Sequence, residues 1–451
     1  MLSVLLIFLL ILLFSLLGVL TGILTGLLPG LHVNNIALIL LSFSTGIVAA
    51  FHFLIQYGIQ EQFIYLFIAA YITSTSISHT FHDVIPTTFL GAPDEDSALT
   101  LLPAHSLLLE GKGYEAVALS ALGSYGAILF SILLILPMRF IIDSPFNSYN
   151  ILHEIMGYIL IAITILMIAT EKGRITDFTD KGVIPSILGI IFAFIVFIIS
   201  GIFGLIILDF PVASPIGLPA PVLFPALTGL FGLPTLLTSA LTKPTIPTQN
   251  IEDVEIEEEE KKSSILSIIT GSLAGILVSI IPGITSATGT ILAMNIRGES
   301  SRRQTIVTLS AVNTACAFSV ILVLFIILKV RSGAALAIQQ LIPVEEWNTM
   351  NIPLNLVYLI ASLLFSGTLS YFFTIFIGKI FAQRFTSIPY QPLVVATIVI
   401  IIILVSLFTG LNGLLVLLVA TFIGLLPISW GVRRSHCMGV LLLPITLYFL
   451  M

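Results

Sequence analysis

Residues 18–35, GVLTGILTGLLPGLHVNN, align without gaps on residues 271–288, GSLAGILVSIIPGITSAT. In both stretches small residues recur every four positions along an apolar run, and a Pro-Gly pair follows them. A chance match of these features in the same order is improbable even in a glycine-rich chain, so the match predicts an internal repeat. Small residues at this spacing let a second helix approach closely, which is the packing role that we assign to them.

The Pro-Gly pairs, Pro29-Gly30 and Pro282-Gly283, predict a break in each helix, because proline cannot complete the helical hydrogen bonds and glycine permits a sharp reversal. Broken backbone at membrane depth is tolerated only where protein buries it or where it lines a wet cavity. The helix that restarts after each break would present free N–H groups and a positive dipole end to the protein centre, which suits an anion. A kink packed by neighbouring helices is the alternative.

The chain around these motifs has the composition of a membrane protein. Of its 451 residues, 57% are hydrophobic and 9% are charged, and the mean hydropathy is +1.15. Apolar runs long enough to cross a bilayer recur throughout, and about a dozen crossings fit. A water-soluble enzyme and a nucleic-acid-binding protein are excluded, since the first needs more charge and the second a basic face. The first apolar run lacks the basic start of a secretory signal, so we expect it to be retained.

Polar segments separate the apolar runs of the chain. The runs follow the same order in two halves, residues 1–241 and residues 264–451, which an acidic segment at 242–263 joins. Each half is predicted to hold a re-entrant broken-helix hairpin and about five transmembrane helices. Most of the 17 Lys and Arg residues fall in loops on one side, which places the acidic segment in the cytoplasm. With this threading, the two hairpins enter the membrane from opposite sides. The sequence therefore predicts an all-α polytopic protein of the cell membrane, built from two inverted-topology repeats.

Polar and mostly uncharged side chains follow both breaks and are candidates for hydrogen bonds to a substrate. Similar polar stretches lie in the next span of each half, at residues 72–80 and 308–319, and predict the walls of a shared cavity. Hydroxyl groups can equally bond to carbonyls of their own helix, so only Thr75 and Asn313 are taken from these stretches. The candidate substrate-binding residues are Pro29, Gly30, His32, Asn34, Asn35, Thr75, Pro282, Gly283, Thr285, Ser286, Thr288 and Asn313.

His79, His82 and Asp83 open a polar segment, residues 79–113, that has no counterpart in the second half. Their spacing matches no zinc pattern, and no metal or other cofactor is expected. Almost no ionisable side chain lies deep in a predicted span. Coupling to H+ through a buried carboxylate therefore lacks a candidate, and Na+ held by neutral oxygens is the favoured coupling ion. The motifs GxSxG and HExxH are missing, so an enzyme is not expected.

Three stretches together resemble a known family: the two Pro-Gly motifs, GAPDEDSALTLLPAHSLLLEGKGYEA at 91–116 and FPALTGLFGLPTLL at 224–237. The family is that of the large membrane subunit of tripartite tricarboxylate transporters, and the resemblance covers nearly the whole chain. It implies an inverted-repeat carrier that takes up a carboxylate by ion-coupled symport, together with a periplasmic binding protein and a small membrane subunit. It also implies that the two Pro-Gly pairs frame the site. LHVNN at 31–35 and the region 182–210 depart from the family pattern.

A second similarity leads to an alternative. IIPGITSATGTI, residues 280–291, is similar to the signature of polyprenyl-phosphate translocases. The leading hypothesis is a secondary active transporter that holds an organic anion between its two Pro-Gly tips, with alternating access coupled to Na+ or H+; the alternative is a lipid-carrier translocase. A lipid needs a lateral opening between spans, whereas a soluble acid needs an aqueous route. A channel is disfavoured, because two matched hairpins indicate alternating access.

Overall fold

The computed structural model is helical throughout the part of the chain that it describes, apart from turns and loops. Eight helices are long and apolar enough to cross a membrane, or nine if the bent pair Ser148–Glu154 and Met156–Ala169 forms one span. This confirms an all-α polytopic membrane protein. The described residues are 2–28, 33–91, 101–171, 183–217, 222–242, 247–252, 258–281, 286–297, 301–348, 350–385 and 390–451.

Thirteen α-helices are found among the described residues of the first half. They are α1 Leu2–Leu27, α2 Val33–Ser42, α3 Ser44–Ala50, α4 Glu61–His82, α5 Val84–Leu90, α6 Leu101–Leu109, α7 Gly113–Leu133, α8 Ile135–Ile142, α9 Ser148–Glu154, α10 Met156–Ala169, α11 Val183–Ile207, α12 Leu223–Leu227 and α13 Leu233–Thr242. A π-helical turn, Thr228–Gly232, joins α12 to α13, and a 3-10 turn, His52–Tyr57, precedes α4.

The described residues of the second half contain seven α-helices, of which α20 comes last. They are α14 Glu258–Ile280, α15 Ser286–Arg297, α16 Arg302–Ile327, α17 Gly333–Leu341, α18 Leu354–Phe385, α19 Tyr390–Ser429 and α20 Gly439–Leu450. A 3-10 turn, Arg434–Met438, leads into α20. Fewer than a dozen described helices meet the length and hydropathy of a span, because α4 is polar and the helices after the breaks are short.

The helices pack as two bundles, and each bundle takes helices from both halves of the sequence. The first bundle contains α1–α8 and α14–α18, and the second contains α10–α13, α19 and α20, with α9 between them. Within the described residues, apolar side chains join the two bundles. Val278 of α14 and Ile281 directly after it pack into the core of the second bundle, and a further core combines Val84, Val117 and Ala382 of the first bundle with Phe224, Leu233 and Ile401 of the second. The packing units therefore do not coincide with the sequence halves.

Close backbone contact holds α1 against α4. A Cβ atom added at Gly18 would lie 2.9 Å from the Cβ atom of Ser74, and one added at Gly22 would lie 2.7 Å from the carbonyl oxygen of Thr75. The contacts advance in the same direction along both helices, so α1 and α4 run parallel. The predicted packing role of these glycines is confirmed.

The same contact recurs between α14 and α16. A Cβ atom at Gly271 would lie 2.6 Å from the carbonyl oxygen of Thr308, and one at Gly275 would lie 2.8 Å from the Cβ atom of Ala315. The repeated motif thus plays the same packing role in both halves, each time against the long helix that follows the break.

The long helix α19 bends at Gly410, whose φ of 63° lies in the left-handed region that favours glycine. The loop after α11 fixes this bend: Asn412 Nδ2 donates to the carbonyl oxygen of Pro211 at 2.7 Å, and Ser214 Oγ donates to that of Leu407 at 2.8 Å. The bend therefore divides α19 into two helical segments.

A buried polar cluster around Glu171 ties α10 to the turn before α20. The carboxylate accepts hydrogen bonds from the backbone N–H of Arg433 at 3.0 Å and from His436 Nε2 at 2.7 Å. Burial raises the pKa of Glu171, but these two hydrogen bonds and the Arg433 charge outweigh burial and lower the pKa to about 2. Glu171 therefore stays ionised at neutral pH and is matched by positive charge.

Replacing Gly22 with Ala should loosen α1 from α4, because the new methyl group would meet the Thr75 carbonyl oxygen at 2.7 Å. We expect the free energy of unfolding in detergent micelles to fall by about 1–3 kcal/mol, as for other overpacked interiors. Gly46→Ala is the matched control, since nothing lies within 4 Å of a Cβ atom there; this exposed helical site should gain about 0.5–1 kcal/mol. Equal effects of the two substitutions would contradict the packing role.

Replacing Glu171 with Gln should remove a pH-dependent part of the stability. Since its folded pKa of about 2 lies below the ordinary value of 4.5, Glu171 contributes fully above that ordinary value and loses its contribution as the pH falls toward 2. Between about pH 6 and pH 3, the melting temperature of wild type in micelles should therefore fall more than that of Glu171→Gln. Glu258→Gln changes a carboxylate that is 86% exposed and should follow wild type. Coincident curves for all three proteins would show that the cluster contributes nothing.

Candidate substrate and ion site

The helix α4 carries a run of polar side chains into the interior of the first bundle. Between residues 73 and 83 the buried polar side chains are Thr73, Ser74, Thr75, Ser76, Ser78, His79, Thr80, His82 and Asp83. This run explains why the 22-residue α4 is not among the apolar spans. Ionisable and polar side chains inside a membrane protein are expensive unless they are paired, and they mark functional positions by default.

The C-terminal turns of α4 are hydrogen-bonded to helices from both halves of the chain. Ser78 Oγ donates to the carbonyl oxygen of Val19 on α1 at 2.9 Å, and His79 Nδ1 lies 3.1 Å from Thr25 Oγ1 on the same helix. On the other side, Thr80 Oγ1 lies 3.1 Å from Thr314 Oγ1 of α16. The end of α4 is therefore fixed between the helix before the first break and the long helix after the second.

The orientation of the His82 ring is fixed in the same way. Its Nδ1 atom lies 2.7 Å from the carbonyl oxygen of Ser78, which can only accept, so Nδ1 carries a proton. Its Nε2 atom lies 3.3 Å from Thr374 Oγ1 of α18. A second helix of the second half thus contacts the end of α4 through a polar group.

Asp83 lies at the centre of this region, directly after α4, and only 6% of it is exposed. Asn313 Nδ2 of α16 donates to Asp83 Oδ2 at 3.0 Å, and Ser286 Oγ donates to Asn313 Oδ1 at 3.5 Å. Ser286 is the first residue of α15, so a chain of two hydrogen bonds joins Asp83 to the helix that starts after the second break.

The helix before the first break reaches the same place. A Cβ atom at Gly26, near the end of α1, would lie 2.8 Å from the Cβ atom of His82 and 3.1 Å from the backbone nitrogen of Asp83. Gly26, before the first break, and Ser286, after the second, therefore both approach Asp83, Ser286 through Asn313. We call Asp83, Asn313 and Ser286 the Asp83 cluster.

The helices after the two breaks pack differently. A Cβ atom at Gly289 would touch Val278 and lie 3.6 Å from the carbonyl oxygen of Ala274, so α15 folds back along α14 as a hairpin. The first return helix, α2, instead packs mainly against α17 and α4. Asn34 Oδ1 accepts a hydrogen bond from the backbone N–H of Ala334 at 3.3 Å, which holds α2 to the start of α17.

Two of the predicted site residues, Ser286 and Asn313, come together in the Asp83 cluster. Thr75 does not join them, because its hydroxyl donates to the carbonyl oxygens of Tyr71 at 2.9 Å and Gly18 at 3.1 Å and so secures α1 on α4. Asn34 bonds to α17. The predicted residues outside the described part of the chain are Pro29, Gly30, His32, Pro282, Gly283 and Thr285, and the side chains of Asn35 and Thr288.

The expectation that a buried carboxylate is missing was wrong, because α4 continues to His82 and carries Asp83 into the bundle. The sequence prediction had assigned the polar segment from residue 79 onward to a region outside the spans. One signal could have corrected it: Asn313 lies in the middle of an apolar run, and a buried amide there needs a polar partner.

A separate cavity of about 210 Å³ lies at the opposite end of α4, where Gln62 and Leu66 line it together with Phe325, Pro343 and Asn355. It is distinct from the Asp83 cluster, because α4 places its first and last turns about 30 Å apart. Among the described residues, no group of three or more His, Cys, Asp or Glu side chains is arranged to hold a metal ion.

Replacing Asn313 with Leu should destabilise the protein by about 1.5–3 kcal/mol, because the buried Asp83 loses a donor and bonds to charged groups are the stronger ones. Thr75→Val is the matched control, since it removes a neutral hydroxyl bond and keeps the side-chain shape, with an expected loss of about 0.5–1.5 kcal/mol. Urea unfolding in mixed micelles measures both. A loss for Asn313→Leu no larger than that for Thr75→Val would contradict a larger contribution from the bond between Asn313 and Asp83.

The comparisons with known proteins agree with this architecture. Residues 12–439 match the profile of the "Tripartite tricarboxylate transporter TctA family". An uncharacterized protein of Methanocaldococcus jannaschii is 31% identical over 380 residues, which are 83% of this chain and 86% of that protein. No solved structure matches. Since the family match spans nearly the whole chain, this protein belongs to the tripartite tricarboxylate transporter TctA family, and it is a multi-pass membrane component of a transporter.

Proposed function

We propose that the chain is the translocating subunit of a secondary active carrier and that an organic anion, a carboxylate, binds between the two Pro-Gly breaks. One observation carries this proposal: the helix before the first break and the helix after the second meet at the Asp83 cluster. The family to which the chain belongs supports a carboxylate as the substrate.

The second break supplies groups that suit an anion. The helix α15 starts at Ser286 directly after the break, and the first N–H groups of a helix lack partners within it and carry positive partial charge. The hydroxyl of Ser286 lies at the same end and can donate a hydrogen bond. A carboxylate would be held there by neutral donors rather than by a fixed positive side chain.

The two bundles are the bodies that we propose to move during alternating access. The first bundle contains both breaks and the Asp83 cluster, and glycine contacts hold its helices together closely. The cores that join the two bundles, with Val278 and Ile281 in one and Val117 and Ile401 in the other, are apolar and lack the directionality of hydrogen bonds. The first bundle can therefore shift against the second while the site itself stays intact.

The ion pairs at one end of the helices support the predicted sidedness. Arg302 forms an ion pair with Glu110, and Arg303 forms ion pairs with Glu115 and Glu260. These contacts place the start of α14, the start of α16 and the start of α7 on one face, next to the acidic segment. We propose that this face is cytoplasmic and that a small membrane subunit and an external binding protein complete the transporter.

The transport activity is tested by reconstituting the chain in lipid vesicles, with imposed Na+ and pH gradients, and measuring the uptake and exchange of labelled di- and tricarboxylates. Accumulation of any of them supports the proposal. If none enters or exchanges, the carboxylate carrier is rejected, and movement of a labelled polyprenyl phosphate between leaflets in the same vesicles would establish the alternative lipid-carrier activity.

Replacing Pro29-Gly30 or Pro282-Gly283 with Ala-Ala should abolish carboxylate uptake, because alanine would rebuild a continuous helix where the site needs a free helix end. Membrane insertion, measured as the amount of folded protein in the membrane fraction, should stay near that of wild type. Pro444→Ala changes a proline inside α20, in the second bundle, and serves as the control that keeps uptake. Full uptake by both double variants would contradict the role of the breaks.

A further inference from the structure

We infer that Arg434, in the turn before α20, binds an oxyanion, that is, a carboxylate or a phosphate group. The site lies in the second bundle and apart from the Asp83 cluster, which belongs to the first. It goes beyond the transport site proposed above and does not depend on it. A soluble acid and a lipid headgroup both offer this chemistry, and the experiment separates the two sources.

Uncharged groups of the second bundle hold the guanidinium of Arg434 in place. Its Nη1 atom donates to the hydroxyl of Thr235 and, at 3.4 Å, to the carbonyl oxygen of Phe231. Thr235 Oγ1 itself donates to the same carbonyl oxygen at 3.0 Å, so it turns a lone pair toward Arg434. Phe231 belongs to the π-helical turn, and Thr235 belongs to α13 directly after it. The guanidinium is therefore oriented before a ligand arrives.

The positive charge of Arg434 forms no ion pair within the described part of the chain. Its neighbour Arg433 is paired, since Arg433 Nε lies 3.3 Å from Glu171 Oε2. His436 Nε2 lies 2.7 Å from the same oxygen, so two groups already share this carboxylate. Arg434 thus leaves one positive charge without a counter-charge in a half-buried position. A charge withdrawn from water is unfavourable unless it is paired, which favours binding of an anion.

The edge of the Arg434 guanidinium formed by Nε and Nη2 is open. These two atoms donate to none of the described residues, and both reach the surface. Two parallel N–H groups of this kind match the two oxygens of a carboxylate or phosphate, and such bidentate contacts are among the strongest that arginine makes. The geometry of the open edge therefore selects an oxyanion.

Arg331 shows that an arginine without an ion pair does not by itself make such a site. It also lacks a carboxylate partner among the described residues, but its Nη2 donates to the hydroxyl of Tyr149 at 3.2 Å. Its Nε is sealed from solvent without a hydrogen-bond partner. Protein thus closes the edge of Arg331 that corresponds to the open edge of Arg434.

The turn before α20 has further unused hydrogen-bonding capacity. In the described structure Ser435 Oγ and His436 Nδ1 are buried and have no hydrogen-bond partner. Nearly all buried polar groups in folded proteins have one. Three consecutive residues of one turn, beginning with Arg434, therefore carry polar atoms that the protein leaves unsatisfied, which is an independent sign that another polar group belongs here.

The turn also lies where oxyanions are available. Trp430, four residues before Arg434, is half-buried and stacks on Phe192 of α11 with ring centroids 5.0 Å apart. Tryptophan is enriched where the bilayer meets water. Lipid phosphates lie at this level and bind basic side chains between spans, and soluble acids reach the same level from the aqueous side. These are the two sources that the test must separate.

Titration of the purified full chain in an uncharged detergent tests the soluble source. Citrate, succinate and inorganic phosphate are added at constant ionic strength while tryptophan fluorescence is recorded. Trp430 reports on the turn, because the other tryptophan, Trp347, lies in the core of the first bundle. In Arg434→Gln the affinity should fall about tenfold or more, since the charge and the open edge are lost. Arg384→Gln, which changes an exposed arginine at the end of α18, should bind as wild type does.

Nanodiscs of phosphatidylcholine, with and without phosphatidylglycerol, test the lipid source. If a lipid phosphate is the ligand, the soluble acids leave wild-type fluorescence unchanged. Phosphatidylglycerol then raises the melting temperature of wild type and stays bound to it in native mass spectra. Arg434→Gln should lose both effects, and Arg384→Gln should keep both.

Two results would overturn the inference: wild type binds none of these anions, or Arg434→Gln binds them all as tightly as wild type. Arg434→Lys covers the case in which Arg434→Gln does not fold. It keeps the charge but cannot form two parallel bonds, so its affinity should be several-fold weaker, and an unchanged affinity would overturn the inference too. A failure of carboxylate uptake in vesicles would reject the proposed function alone, because binding at Arg434 is measured without a gradient.

Discussion

A helix that ends inside a bilayer leaves backbone groups that lipid cannot satisfy, so protein must surround the broken end. We propose that the first bundle is organised around this constraint. The small residues Gly18, Gly22 and Gly26 on α1 allow α4 to approach closely enough to flank the end of α1. The equivalent glycines of α14 bring α16 to the second break. The polar ends of the two pairs then meet, which brings His82, Asp83 and Asn313 together at one junction.

The sequence contains the information for some of these features and lacks it for others. Spacing alone predicted the packing glycines, because one face of a helix is a local property of the chain. Asn313 and Ser286 were predicted as site residues because polar residues stand out in apolar runs. The burial of Asp83 depends on where α4 ends relative to α1 and α16, and the bonding of Thr75 depends on which carbonyl is nearest. Both are consequences of tertiary packing, as is the division of each half between two bundles.

Within the described residues, the two buried carboxylates belong to different parts of the fold. Glu171 is paired with an arginine and a histidine, remains charged and joins α10 to the turn before α20. Asp83 accepts a hydrogen bond from the Asn313 amide and lies next to the ends of α4 and α1. Removing one partner of a buried ion pair leaves an uncompensated charge, so Glu171 fixes the position of the elements that it joins.

The sharing of each bundle between the two halves has a consequence for biosynthesis. When the ribosome has completed α4, the partners of its polar end, Asn313, Thr314 and Thr374, are still more than two hundred residues away along the chain. The insertion machinery must therefore hold a partly polar helix next to lipid until nearly the whole polypeptide has been translated. A nascent chain that stops before α18 would expose these hydrogen-bonding groups, which makes truncated products natural targets for membrane quality-control proteases.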